Sequence, residues 1–282
     1  MTTPHVNEET TDPWMAERLD RMMKLARERK EKSAAFIATQ PQAIRCQRHA
    51  DQVLAINLDE TQKLSNADKG EFVAGYDRCP KCEADARIKD QNARLKSQGV
   101  PEILLDSTLD NWMPETQSEA SNLVRLREFI RVRRGFLLML GDLGTGKSHL
   151  AVAIMRHFQS AAFIKQNTLL RSLRATYRNA NAPDPVEECQ HVGLLVIDEM
   201  GLSGGGRDEL PALHEVLDYR HGERLPTVLT GNLGIEAMKE IVGPRISDRL
   251  KESAFAILNF SGQSRRKEAR ARYFTHPDEQ AS

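Results

Sequence analysis

The stretch GFLLMLGDLGTGKSHL, residues 135–150, decides how the rest of the chain is read. Its first half is a short, continuous apolar run of strand length. Its second half, Gly141-Asp142-Leu143-Gly144-Thr145-Gly146-Lys147-Ser148, fits G-x-x-x-x-G-K-[ST] and opens onto a helical pattern. Glycines let backbone N–H groups turn inward on a phosphate chain, and a helix N-terminus adds partial positive charge. In that arrangement Lys147 reaches the β- and γ-phosphates of a nucleotide and Ser148 offers its hydroxyl to Mg²⁺.

Outward from this loop the same rhythm repeats. Apolar runs at 161–166, 193–199, 226–232 and 254–260 alternate with helical patterns at 147–158, up to Arg178, around 210–219 and, as two short helices, before the last run. Short apolar strands between amphipathic helices imply a parallel sheet covered on both faces, an α/β domain. The run Leu194-Leu195-Val196-Ile197-Asp198-Glu199 ends in two carboxylates, which are costly to bury together unless a cation or a reacting water uses them. Asp198 suits the Mg²⁺ shell and Glu199 suits polarising an attacking water, which favours hydrolysis over transfer to a small substrate. The next strand ends in Thr230-Gly231-Asn232, where Asn232 can hydrogen-bond a γ-phosphate or the lytic water. Arg245 and Arg249 stand four apart on one helical face, either as charge stabilisers for a transferring phosphate or as surface residues paired with Asp248 or Glu252.

Upstream the pattern is different. Residues 14–38 carry Met15, Leu19, Met22 and Ala26 between charges, so an amphipathic helix is expected, packed on its own protein or on a partner. Cys46-x-x-His49 and Cys79-x-x-Cys82 hold three of the four cysteines in the chain. Two such short-spaced pairs make a tetrahedral Cys₃His set of the closed, structural-zinc type, with a redox Cys-x-x-Cys as the rival reading. Residues 52–58 and 71–77 read as two strands joined by a polar turn, which brings the pairs together at one end of a zinc ribbon. Cys189 is read as a core residue. The charged helical stretch 83–98 follows, and Gly99-Val100-Pro101 breaks it. The expected organisation is a helix and zinc ribbon over 1–98 and an α/β domain over 99–282.

With 40 basic and 40 acidic residues the chain has no net charge, which excludes a partner bound by bulk positive charge. No run approaches the roughly 20 apolar residues of a membrane helix. The polar, acidic start MTTPHVNEETTDP is unlike a signal peptide, so a cytoplasmic protein with no membrane partner is expected.

Taken together, GDLGTGKSHL, LLVIDEMG, TVLTGN and GPRISDRL resemble the DnaC/IstB group of AAA+ ATPases, and SQGVPEILLDSTLDNW looks like the lead-in segment of that group. The resemblance covers roughly residues 97–265. It implies ATP hydrolysis at sites shared between neighbouring subunits, with Lys147 and Ser148 as Walker A, Asp198 and Glu199 as Walker B and Asn232 as sensor 1. Arg249 aligns with the arginine finger with Arg245 beside it, and Arg265 with a sensor 2 arginine. The group divides into loaders of the replicative DnaB-type helicase and helpers of transposition. In the loaders the segment before the Walker B strand lines a path for single-stranded DNA, which here makes Lys165, Arg171, Arg174, Tyr177 and Arg178 candidates for phosphate contact and stacking, or simply a solvated face. The basic tail from Arg265 to Arg272 is open to the same two readings. Some loaders resembling DnaI carry an N-terminal zinc module. The expectation is therefore a zinc-bearing helicase loader using ATP, Mg²⁺ and Zn²⁺, self-associating through its ATP sites. The alternatives are a transposition helper on duplex DNA and a nucleotide-gated adaptor with little turnover.

Overall fold

The computed structural model describes residues 13–66, 69, 71–176, 184–201 and 210–265. The chain divides into two compact units, 1–89 and 90–282, and the division falls inside the helix Pro80–Ser97.

The first unit begins with α1, Pro13–Ala38, over the stretch whose periodicity announces it. A two-residue-period hairpin follows, β1 (Ala43–Arg45) antiparallel to β2 (Val53–Ala55) with Ile44 opposite Leu54. Next come α2, Leu58–Leu64, and the start of α3, Pro80–Ser97. This corrects the ribbon expected from sequence. The strand expected over 52–58 stops at Ala55 because Asn57 turns to cap α2, accepting the Glu60 N–H at 3.1 Å. The strand expected over 71–77 is reduced to single bridges, Asn66 with Glu71 and Ile56 with Tyr76. Hydroxyls take the place of a ladder there: the Ser65 Oγ accepts from Val73 N at 2.9 Å, and the Thr61 Oγ1 accepts from Gly75 N at 2.8 Å. Gly75 is required at that crossing, since a Cβ would meet the backbone of Glu60 and Thr61 at 2.4 Å. Among the described side chains of this unit no aliphatic one is fully buried; only Cys46 and Cys79 are buried among its apolar residues.

The second unit is the α/β domain expected. Its sheet runs β4 (Ala161–Lys165), β5 (Leu194–Met200), β6 (Thr227–Gly231), β3 (Phe136–Gly141), β7 (Ala254–Phe260), and every pair is parallel. Alternation along β3 sends Leu137 and Met139 into one apolar layer, with Leu126, Phe129, Leu150 and Ile154, and sends Phe136, Leu138 and Leu140 into the other, with Leu213, Leu217 and Val242. Burial of each such side chain contributes about 1.5–3 kcal/mol. The first layer comes from α4 (Gln117–Val132) and α5 (Lys147–Met155), the second from α6 (Gln166–Thr176), α7 (Pro185–His191), α8 (Leu210–Gly222) and α9 (Ile235–Ser253). A short 3₁₀ turn, Glu102–Leu104, precedes α4. The two short helices expected before the last strand are the halves of α9, which breaks at Gly243 (φ 74°) ahead of Pro244.

One buried cation ties this unit together. The Arg220 side chain is fully buried and donates to the carbonyls of Cys189, Gln190, Val192 and Pro226 and to Thr227 Oγ1, at 2.7–3.0 Å. It thereby satisfies the exposed carbonyl end of α7 and fixes the start of β6. Burial draws its pKa down to about 10, which leaves it charged at neutral pH.

Candidate functional site

Parallel order places the carboxyl ends of β3, β5 and β6 side by side, and there the sequence motifs converge. The loop after β3 carries Gly141, Gly144 and Gly146 at φ 122°, 80° and 95°. Gly146 caps α5, and a Cβ on it would lie 2.3 Å from the indole nitrogen of Trp112. The indole in turn reaches the Thr145 carbonyl at 3.4 Å, so the lead-in segment braces the loop from outside. Lys147 is buried and its ammonium donates to the carbonyls of Gly141 (3.0 Å) and Asp142. Thr145 Oγ1 donates to the Asp142 carbonyl at 2.9 Å, the Asp142 carboxylate accepts the Gly262 N–H at 3.1 Å, and Leu143 lies exposed on the outside of the turn.

Ser148, at the second position of α5, donates to both carboxylate oxygens of buried Asp198, at 2.8 and 3.0 Å. Thr230, at the end of β6, donates to Asp198 Oδ1 and accepts the Glu199 N–H at 3.3 Å. From sequence Thr230 is legible only as part of a strand tip; its role depends on β6 lying beside β5, which sets its hydroxyl against Asp198. Glu199 sits at φ 58°, left-handed backbone that strains a non-glycine residue, as is common where a side chain must be aimed. Its carboxylate pairs with Lys165 at 3.0 Å. Asn232 follows β6 directly and is exposed.

Of the candidate DNA residues, Lys165 ends β4 and therefore belongs to this acid cluster, while Arg171 lies exposed on α6 and reaches back to the Asn167 carbonyl at 3.3 Å. Arg174 lies in the same helix; Tyr177 and Arg178 lie outside the described residues, as does the tail beyond Arg265. Arg265 is beside the phosphate loop through its backbone, donating N–H to the Gly144 carbonyl at 2.9 Å. Its guanidinium is engaged elsewhere: with Glu119 at 2.7 Å, with Glu115 at 3.5 Å, and stacked 4.3 Å above Trp112. Arg245 and Arg249 stand on the second half of α9, and both pair with Asp218 on α8 rather than with Asp248 or Glu252.

In the first unit the four expected metal ligands meet. One atom from each of Cys46, His49, Cys79 and Cys82 lies within 4.8 Å of all the others. His49 Nδ1 stands 3.9, 3.6 and 3.3 Å from the sulfurs of Cys46, Cys79 and Cys82, and the Cys46 and Cys82 sulfurs are 3.6 Å apart. A tetrahedral zinc with Zn–S near 2.3 Å requires ligand separations of about 3.7 Å, so the set has the right dimensions. Burial resists charge on Cys46, but the N–H groups of Arg48 and His49 bring that thiol down to about 6. Burial then pushes Cys82, beside the Cys46 and Cys79 sulfurs, up to about 11. The far nitrogen of His49 faces Asp85 Oδ2 at 3.3 Å, the carboxylate–imidazole pairing that orients a metal-bound histidine. Asp85 escapes a reading by ligand spacing; it lies on α3 one turn past Cys82, and that periodicity was the signal for it.

Comparison with known proteins agrees with the second unit. The family described as IstB-like ATP binding protein matches residues 111–272. The replicative helicase loader DnaC of Escherichia coli (strain K12) is 25% identical over 192 residues, spanning 62% of this chain and 78% of the loader. The uncharacterized protein YdaV of the same strain is 32% identical over 199 residues, spanning 67% of this chain and 80% of its own. The crystal structure of the DnaC helicase loader superimposes with a TM-score of 0.53 at 19% identity, over 57% of this chain and 100% of that one. At that identity the likeness speaks for the fold alone, the five-stranded parallel sheet with its helices. The family match runs from the segment that braces the phosphate loop through the Asp198 strand to the end of the sheet, and by it this chain belongs to the IstB-like ATP-binding proteins.

Proposed function

We propose that this protein is an ATP-dependent loader of a replicative DnaB-type helicase onto single-stranded DNA. The observation that carries the reading is the convergence of Ser148, Asp198, Thr230 and Glu199 at the phosphate-loop end of the sheet, in a chain similar along most of its α/β unit to proteins named replicative helicase loader.

The chemistry follows from the residues. Backbone N–H groups of residues 141–146 and the α5 N-terminus cradle the phosphates of ATP, and Lys147 exchanges its carbonyl contacts for the β- and γ-phosphates. Ser148 and Asp198 would hold Mg²⁺, which would supply positive charge against the phosphates. Thr230 fixes the Asp198 carboxylate through one oxygen. Glu199, aimed by its left-handed backbone, polarises the attacking water, and Asn232, exposed just after β6, hydrogen-bonds the γ-phosphate or that water. Lys165 holds the Glu199 carboxylate, so a DNA phosphate that attracts Lys165 also frees Glu199. Arg249 acts on the ATP of a neighbouring subunit, which makes hydrolysis depend on assembly. In the front unit Cys46, His49, Cys79 and Cys82 would hold zinc, tying the hairpin to the start of α3 in a docking module for the helicase.

The experiment uses the full chain with the cognate helicase, ATP and circular single-stranded DNA, and measures helicase retained on the circle after the loader leaves. Stable helicase–loader binding followed by ATP-dependent transfer is expected. Failure to bind the helicase at all would remove the loader reading. The family match to IstB-like proteins favours one second reading, a transposition helper, whose signature in the same assay is retention on duplex DNA without helicase.

A further inference from the structure

Asp218 has no place in the sequence motifs, yet it organises two residues that do. It lies on α8 with its side chain largely buried, 21% exposed, against the second half of α9. Each of its carboxylate oxygens takes a different guanidinium: Oδ2 pairs with Arg245 at 2.9 Å and Oδ1 with Arg249. The nearby acid Glu252 faces His221 at 3.6 Å instead. Arg249 is 30% exposed and Arg245 is 70% exposed, and both line an open groove of about 830 Å³.

The geometry is that of an aimed pair. Arginines four apart on a helix repel one another and, left alone, spread over many rotamers. The break at Gly243 and Pro244 gives this helical segment its own direction, so its orientation depends on what it packs against. A single carboxylate shared between two guanidiniums draws them to one point and leaves an excess positive charge. Each fork retains further N–H donors for an anion, and a phosphate is the anion that fits both forks.

We propose that Asp218 is the positioning residue of the arginine finger: it holds Arg249, with Arg245 beside it, in the direction from which they meet the γ-phosphate of a neighbouring subunit. This rests on the reading that Arg249 acts across a subunit interface. Asp218 touches no substrate; it acts through the arginines.

Mixed-subunit complementation separates the two ideas. Four full-length variants, Asp218→Asn, Asp218→Glu, Arg249→Ala and Glu199→Gln, are assayed alone and in pairs for ATP hydrolysis with single-stranded DNA, and alone for binding of a fluorescent ATP analogue. Asp218→Asn binds nucleotide normally and loses about a hundredfold in hydrolysis, the scale of misplacing a reacting group by an ångström. Asp218→Glu, which keeps the charge on a longer arm, loses less. Mixing Asp218→Asn with Glu199→Gln restores hydrolysis, because the Glu199→Gln subunit supplies an intact finger to a site that still has its glutamate. Mixing Asp218→Asn with Arg249→Ala restores nothing, since both are damaged on the same side of the interface. A merely destabilised subunit would not complement in this one-sided way. If Asp218→Asn does not fold, Asp218→Glu is read in the same mixtures. Wild-type hydrolysis in the Asp218 variants overturns the proposal. So does complementation by Arg249→Ala with Glu199→Gln but not by the Asp218 variants, and in that case the trans-acting finger stands. If Arg249→Ala and Glu199→Gln themselves fail to complement, the finger reading falls and takes the proposal with it.

Discussion

Removing metal from this protein is expected to unfold its first unit and spare its second. Among the described side chains of residues 13–89, no aliphatic one is fully buried, and the ring pair Phe36–Phe72, stacked at 5.4 Å, is half-buried. A core of that kind supplies at most about 3–5 kcal/mol, whereas a structural zinc site is associated with about 10–16 kcal/mol of apparent folding free energy at neutral pH. The metal's contribution therefore exceeds that of the packing by about 5 kcal/mol or more. The assay is amide hydrogen exchange on the full chain before and after a chelator, with zinc content followed by elemental analysis. The amides to follow are those of Cys46, Gln52, Ile56 and Asp77, which donate to Gln52, His49, Gln42 and Ala55 at 2.8–2.9 Å. They should lose protection together, while amides of β3 and β5 in the other unit keep theirs. Asp85→Asn, which weakens the orientation of His49, should lower metal affinity by about 10–100-fold without removing a ligand. Full protection of those four amides in protein shown to be metal-free would refute the reasoning.

Arg220→Met should destabilise the second unit by on the order of 4 kcal/mol, because four carbonyls lose their donor and each buried, unsatisfied one costs about 1–3 kcal/mol before relaxation. Denaturant unfolding measures this, and a loss under about 1 kcal/mol would contradict the bonding described. His149 concerns pH. Burial lowers its pKa below the ordinary value of 6.5, and its ring nitrogen lies 3.0 Å from the Thr108 carbonyl. A histidine held neutral in the fold contributes stability above the unfolded pKa and loses it as pH falls from there toward the folded value. Stability of the second unit should therefore decline below about pH 6.5. The decline should be shallower in His149→Gln; an identical pH profile in the variant would exclude His149 as its source.

The sheet was legible because its three central strands, β3, β5 and β6, are buried on both faces and so appear as unbroken apolar runs. The phosphate loop was legible because its glycines and lysine are spaced for one task. Helix α4 was not placed, although its sequence carries two signals: Leu123, Leu126, Phe129 and Ile130 recur at helical spacing, and in Thr116-x-x-Glu119 Thr116 accepts the Glu119 N–H at 3.2 Å while Glu119 accepts the Glu115 N–H at 2.7 Å. In the front unit the ligands could be read from spacing, but the strands could not. Val73 and Gly75 find their partners in the hydroxyls of Ser65 and Thr61, and side-chain capture of backbone leaves no period in the sequence. Asp218, Asp85 and Thr230 escaped for a common reason. Each acts on a residue distant in the chain, through a pairing that only folding creates.

The scarcity of buried side chains in the front unit has a consequence for how its surface can change. Where a core must be filled, most substitutions are felt by neighbours; here Met22, Met23 and Leu25 stand exposed along α1, and among the described apolar side chains only Cys46 and Cys79 are buried. Such a unit can trade one surface for another while its four ligands and a few hydroxyls stay put. Binding preference is then free to drift independently of foldability, and a single scaffold can be refitted to a different counterpart by altering residues that nothing inside it depends on.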